Sequence, residues 1–280
     1  MTRIATLMGL LWAALAGCLP VDTREPPGAL HVSVRGNEAM AGGIASTADG
    51  WTIRYDRFLV TIGRTWPAGE CDVYSDAEYD RVVDARRTQP QKLSLLYALG
   101  RCGLAFAVSA PGENTLLTAG VNEDDKAFLR QSGAPNDGIA MHVEGSAEKG
   151  AFSKRFSWSL KRYTGYYCGL DEDVDRRFVL RENGDESATV TLRGEALFEL
   201  DAELAPGALR FDPFAEADDV WGDGDGEVDP IELERAPATD VEAFTTLRGQ
   251  LDASLFPAVA ALDRGPCDIV PLNEPVPRAD

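Results

Sequence analysis

The chain has 280 residues, 44% hydrophobic and 26% charged, a globular composition that excludes a disordered or collagen-like polymer. Its 27 Lys+Arg stand against 46 Asp+Glu, a formal net charge of −19. That balance argues against nucleic acid or anionic lipid headgroups as electrostatic partners, since both are bound through basic side chains, and it favours cations. His31 and His142 are the only histidines, which leaves little scope for histidine catalysis or a histidine-rich metal site.

Residues 1–17 read MTRIATLMGLLWAALAG. Arg3 supplies a positive start, and the apolar run Ile4 to Ala16 is shorter than the ~20 residues a spanning helix needs, which suits a signal-peptide core. The run ends in Leu15-Ala16-Gly17-Cys18, which resembles the bacterial lipobox. That resemblance implies that residues 1–17 are removed and that Cys18 is lipidated. Leu19 is not the Asp linked to inner-membrane retention in enteric bacteria, so the expected location is the cell envelope, at the outer membrane. Residues 18–28, with Pro26, Pro27 and Gly28, read as a tether between lipid and domain.

Four further cysteines, Cys71, Cys102, Cys168 and Cys267, remain once Cys18 is set aside. In an exported chain an even remainder predicts two disulfides, and the long spacings exclude a CxxC metal or redox site. Four cysteines allow three connectivities. The expected one is Cys71–Cys102, closing a loop between two strands, with Cys168–Cys267 tying the C-terminus to the body.

Along residues 29–205, alternation predicts strands at 29–35, 51–64, 103–109, 138–145, 151–160 and 187–200. The change of parity near Asp56-Arg57 predicts a bulge. Gly145 to Gly150 is expected to link a hairpin. Asn122 opens a short helix over EDDKAFLRQ that Ser132-Gly133 would stop, and Asp171–Asp175 is an acidic turn. Closely spaced strands without βαβ alternation predict a mainly β fold, an antiparallel β-sandwich of Ig-like or jelly-roll-like type. Trp51, Tyr55, Phe58, Phe106, Phe156 and Trp158 are expected in its core.

Residues 206–280 read as a helical segment packed on the sandwich. Thr239-Asp-Val-Glu242 has the form of a capping box before Phe244, Leu247, Leu251 and Leu255, with Pro257 set to kink or split the helix. Before it, Asp218 to Glu232 read DDVWGDGDGEVDPIE. This stretch resembles the EF-hand calcium loop. The match gives Asp223, Asp225, the Glu227 carbonyl, Asp229 and Glu232 as ligands, with Gly226 at the sharp turn. Calcium takes six to eight hard oxygens, which carboxylates and a carbonyl supply. The first ligand position holds Trp221, so Asp219, or else Asp218, would stand in through a lengthened loop. Asp229 before Pro230 also suits an N-cap.

The order of short motifs extends the resemblance. A DGW strand from Asp49 to Val60, His142 to Gly145, Phe156 to Trp158, Ala196 to Phe198 and the calcium loop together resemble a group of uncharacterised bacterial lipoproteins with a β-sandwich and an EF-hand-like C-terminus. More distantly the chain is similar to MbnP-like periplasmic domains, which implies metal binding through histidines, although Arg193 to Ala196 offer none. No GxSxG, HExxH, P-loop or Rossmann pattern occurs. The expected function is a non-enzymatic, membrane-tethered binding or structural module with one calcium site and no nucleic-acid partner. The alternatives are a periplasmic transition-metal carrier and a carboxylate-pair hydrolase.

Overall fold

The computed structural model describes residues 24–75, 79–130, 138–169, 177–200, 208–240, 242–265 and 267–272. The signal segment, Cys18, the Ser132-Gly133 helix stop and the acidic turn 171–175 lie outside them.

The chain is mainly β. Among the described residues thirteen strands join one mixed sheet: β1 (Gly28–Gly36), β2 (Thr52–Ser75), β3 (Asp80–Asp84), β4 (Gln91–Val108), β5 (Leu116–Leu117), β6 (Met141–Lys149), β7 (Phe152–Leu160), β8 (Tyr163–Cys168), β9 (Phe178–Leu180), β10 (Asp185–Leu192), β11 (Glu227–Val228), β12 (Ala260–Leu262) and β13 (Cys267–Leu272). The main path runs β11-β7-β6-β2-β4-β1-β10-β12. Most neighbours are antiparallel, but β1–β10, β3–β5 and β7–β11 are parallel, so the purely antiparallel expectation is corrected. Four helices matter to the argument: α1 (Glu38–Gly42), α2 (Glu123–Arg130), α3 (Asp212–Asp219) and α4 (Pro230–Arg235).

Two long strands organise the sheet. β2 pairs with β6 through Val60 and with β4 from Ile62 onward, while β3 holds its opposite edge at both points. A residue has only two edges, so β6 and β4 follow one another along the same side of β2. The expected bulge is present, because the β2–β6 register shifts between Tyr55 and Arg57. β4 starts at Gln91, well before the expected 103. Its alternation is broken where Val32 pairs with Ser94 and Ser33 with Lys92, so Leu93 is an extra residue that hides the strand from a period-2 reading.

The hairpin β6–β7 turns at Gly150 (φ +61), not over 145–150. Gly145 lies inside β6 opposite Phe156, and a Cβ there would stand 2.5 Å from the Phe156 ring. The long strand expected over 187–200 ends at Leu192, and Gly194–Phe198 forms a 3₁₀ turn. Tyr55 causes the break: its hydroxyl donates to the Gly194 carbonyl at 2.7 Å, and its ring fills the space a side chain at 194 would need. Ala196 and Phe198 are buried, from a turn instead of the expected strand.

The C-terminal segment is less helical than its pattern. Thr239 does not cap a helix; its hydroxyl and amide meet Gln250 Oε1, both at 3.0 Å. A short helix runs Leu247–Gln250 under Thr246 as cap, a wider turn follows to Leu255, and a 3₁₀ turn over Pro257–Val259 ends the helical run. β11 ahead of this run and β12 and β13 after it join the segment to the sheet. Both expected disulfides are present, Cys71–Cys102 between paired β2 and β4 and Cys168–Cys267 between paired β8 and β13.

All six expected core aromatics are buried. Phe156, Trp158, Phe198, Phe211 and Phe214 form one group, with Phe156–Trp158 ring centroids at 4.6 Å and Trp158–Phe214 at 4.8 Å. Each ring removed from water contributes about 1.5–3 kcal/mol, so this group fastens α3 to β7.

Candidate metal centre

The acidic stretch is positioned from both ends of α3. At the start, α3 has no capping side chain of its own. Asp49, from the turn before β2, accepts from the Phe211 and Asp212 amides at 2.8 and 2.7 Å. Trp51 Nε1 and Lys149 Nζ donate to Asp212 Oδ1 at 2.7 and 2.9 Å. The Asp49-Gly50-Trp51 motif is therefore an anchor for this helix.

Helical spacing places Phe211, Phe214, Ala215 and Asp218 on one stripe facing the β body. Asp218 is accordingly fully buried, while the Asp219 side chain is half exposed. Lys154, on the core-facing side of β7 with Phe156 and Trp158, reaches both: Nζ stands 2.5 Å from Asp218 Oδ2 and 2.5 Å from Asp219 Oδ1. Burial by itself would lower the Lys154 pKa; the hydrogen bonds to Asp218 and Asp219 outweigh it and hold the pKa above the ordinary value.

After α3 the chain turns tightly. A Cβ at Gly222 would lie 1.9 Å from Glu232 Oε1, so that position excludes any side chain. Gly224 (φ +71) and Gly226 (φ +88) take left-handed conformations. Asp223 Oδ1 accepts from the Asp225 amide at 3.2 Å, Asp225 Oδ1 from the Glu227 amide at 2.8 Å, and Asp218 Oδ2 from the Gly226 amide at 2.9 Å. β11 then adds in parallel to β7: the Arg155 amide donates to the Gly226 carbonyl at 2.8 Å and Trp158 Nε1 to the Val228 carbonyl at 2.9 Å.

One carboxylate oxygen from each of Asp218, Asp223 and Asp225 lies within 4.8 Å of the other two. Oxygens around one calcium at about 2.4 Å cannot be more than about 4.8 Å apart, so this spacing fits a hard divalent cation. Asp218 Oδ1 is buried without a hydrogen-bond partner. A buried oxygen without a donor is costly, and a cation supplies what it lacks.

Of the expected set the structure brings together Asp223 and Asp225, and of the two alternatives for the first ligand it is Asp218 whose carboxylate joins them, while Asp219 faces Lys154. The remaining residues do other work here. Asp229 accepts from the Ile231 and Glu232 amides at 2.7 and 2.8 Å as the N-cap of α4. Glu232 completes that capping box through the Asp229 amide at 3.0 Å, and its Oε1 accepts from the Asp223 amide at 3.3 Å. Burial raises the Glu232 pKa, the two amide hydrogen bonds oppose that, and negative Asp218 and Asp229 add to it. The Glu227 side chain pairs with Arg155, a contact separate from the carbonyl expected as its ligand atom. The signal for Asp218 was present in the sequence: it continues the apolar stripe of α3, so it turns inward where Asp219 cannot.

The histidines are placed elsewhere. His31 is exposed, 3.4 Å from Asp185. His142 is buried with both ring nitrogens engaged, Nδ1 to Ser159 Oγ at 2.8 Å and Nε2 to Glu144 Oε1 at 2.7 Å.

Comparison of the chain with protein families, with curated proteins and with solved structures finds no match.

Proposed function

We propose that this chain is an exported, lipid-anchored, non-enzymatic binding or structural module whose C-terminal segment is pinned to a sandwich-type β body by one calcium ion. The observation that carries the reading is the triad of carboxylate oxygens from Asp218, Asp223 and Asp225 beside a buried, donorless Asp218 Oδ1. Two disulfides between paired strands suit an oxidising compartment outside the cytoplasm. The ion would join the end of α3 to the loop that feeds β11 and α4. Its ligands would be the three aspartates, with backbone oxygens and water filling the remaining positions.

With a displaced first ligand and three protein carboxylates, the expected affinity is weak, about 10⁻⁴–10⁻³ M, in the range of extracellular modules. The test is thermal melting of the purified protein in millimolar calcium and in chelator, with metal analysis of the protein. A calcium-dependent rise in melting temperature is expected. Identical melting in both conditions would overturn the reading. Cys18→Ala should release the protein from the membrane fraction or block its maturation; unchanged partition would remove the lipid anchor from the proposal.

A further inference from the structure

We infer that Lys154 is an internal competitor for the cation at Asp218, Asp223 and Asp225, a tethered positive charge that keeps the site folded when empty and weakens its hold on calcium. This rests on the calcium reading above and adds a residue that sets the affinity.

The geometry divides Asp218 in two. Oδ2 is committed inside the protein, to Lys154 Nζ at 2.5 Å and the Gly226 amide at 2.9 Å. Oδ1, equally buried, has no donor. A buried carboxylate left without any cation would be strongly disfavoured, and the ammonium answers that need permanently. Lys154 is itself only 5% exposed and reaches the acids from the core-facing side of β7, so it is built into the body and does not drift over a surface. Asp219, outside the carboxylate group, supplies its second anion at 2.5 Å.

Two consequences oppose each other. Neutralising Asp218 in advance lets α3 and the loop fold without metal. The same charge, fixed beside the site in a partly desolvated setting, repels a divalent cation. An acidic loop without such a lysine would bind more tightly and depend on the ion for its fold.

The test is calcium titration by calorimetry and melting of the full mature chain, using calcium chloride alone as the probe. Lys154→Met should bind calcium at least about tenfold more tightly than wild type and lose stability in chelator, with calcium restoring it. Lys154→Arg, which keeps the charge, should stay near the wild-type affinity. If Lys154→Met does not fold in chelator, its folding midpoint in a calcium series gives the affinity, and folding there at lower calcium than the wild-type dissociation constant supports the inference. Equal or weaker calcium binding by Lys154→Met, or failure to fold at any calcium concentration while Lys154→Arg folds, overturns the inference and leaves the calcium site standing. Absence of a calcium response in wild type and variants alike overturns both.

Discussion

The β6–β7 hairpin carries a polar cluster on each face, and the two are built differently. On one face His142 is held by Ser159 and Glu144, and Arg57 joins Glu144 at 3.4 Å to Asp125 of α2 at 2.5 Å. Phe128 of α2 covers the imidazole edge-on at 4.6 Å and lies under the Arg57 guanidinium at 4.8 Å. Both imidazole nitrogens have partners, and the acids have a cation between them. On the other face Lys154 satisfies Asp219 and one oxygen of Asp218, while the second oxygen of Asp218 is donorless and exposed Asp223 and Asp225 share the carboxylate group with Asp218. A closed network holds an element in place; an open one leaves room for a ligand. Both contain acids and a base, so composition alone does not separate them. The difference lies in which atoms are left over.

Breaking the open cluster at its buried member should have the largest effect. Asp218→Asn leaves Lys154 with Asp219 as its one carboxylate, and a broken buried pair costs about 3 kcal/mol. Chemical denaturation should show that loss, and the calcium response of melting should vanish with it. Asp219→Asn, a substitution on the exposed side, should keep the calcium response. The reverse result would return the first-ligand role to Asp219.

The closed cluster should respond without reference to calcium. Arg57→Met leaves Asp125 and Glu144 without their shared cation and removes the charge above Phe128, for about 1 kcal/mol with both acids part-exposed. The loss should be equal in calcium and in chelator, with hydrogen exchange of α2 accelerated first. A calcium-dependent loss would mean that the two faces are coupled.

Asp225→Asn touches an exposed member of the open cluster. Its stability in chelator should match wild type. It should lack the gain expected for wild type in calcium, about 1.4 kcal/mol at tenfold excess over the dissociation constant. Melting curves in both conditions check this.

The smallest effect is a slope with pH. Burial lowers the His142 pKa below its ordinary 6.5, more than the Glu144 hydrogen bond raises it. Between the lowered value and 6.5 the unfolded chain holds a proton that the folded chain does not, so stability falls as pH drops below about 6.5 and is complete above it. Glu144 is held below its ordinary value: burial raises it, and the His142 and Arg57 contacts more than reverse that. Its contribution is lost in the same direction, at lower pH, as the carboxylate protonates. Denaturation midpoints from pH 5 to 7.5 should fall toward acid for wild type, and less steeply for His142→Gln. Equal slopes would remove His142 from the account.

The sequence by itself determined the parts that depend on local chemistry. Alternation located β1, the start of β2, β6 and β7, because a strand with one buried face must repeat every two residues. The bulge at Tyr55-Arg57 was legible as a parity change, the presence of two disulfides as an even remainder, and the Asp229 cap as Asp before Pro. Gly226, expected at the sharp turn of the acidic loop, takes a left-handed φ of +88. Tertiary structure decided what two distant segments settle together. Leu93 bulges against β1 and conceals half of β4. Tyr55 ends β10 by filling the space beside Gly194. The helical pattern after Thr239 gives way because β10 and β8 offer hydrogen bonds to β12 and β13 that a continuing helix could not use. At the site, the loop pattern named Asp223 and Asp225, but the third carboxylate was chosen by packing. Phe211 and Phe214 bury one stripe of α3 against Trp158, that stripe carries Asp218 inward, and Lys154 from a strand 64 residues earlier meets it there.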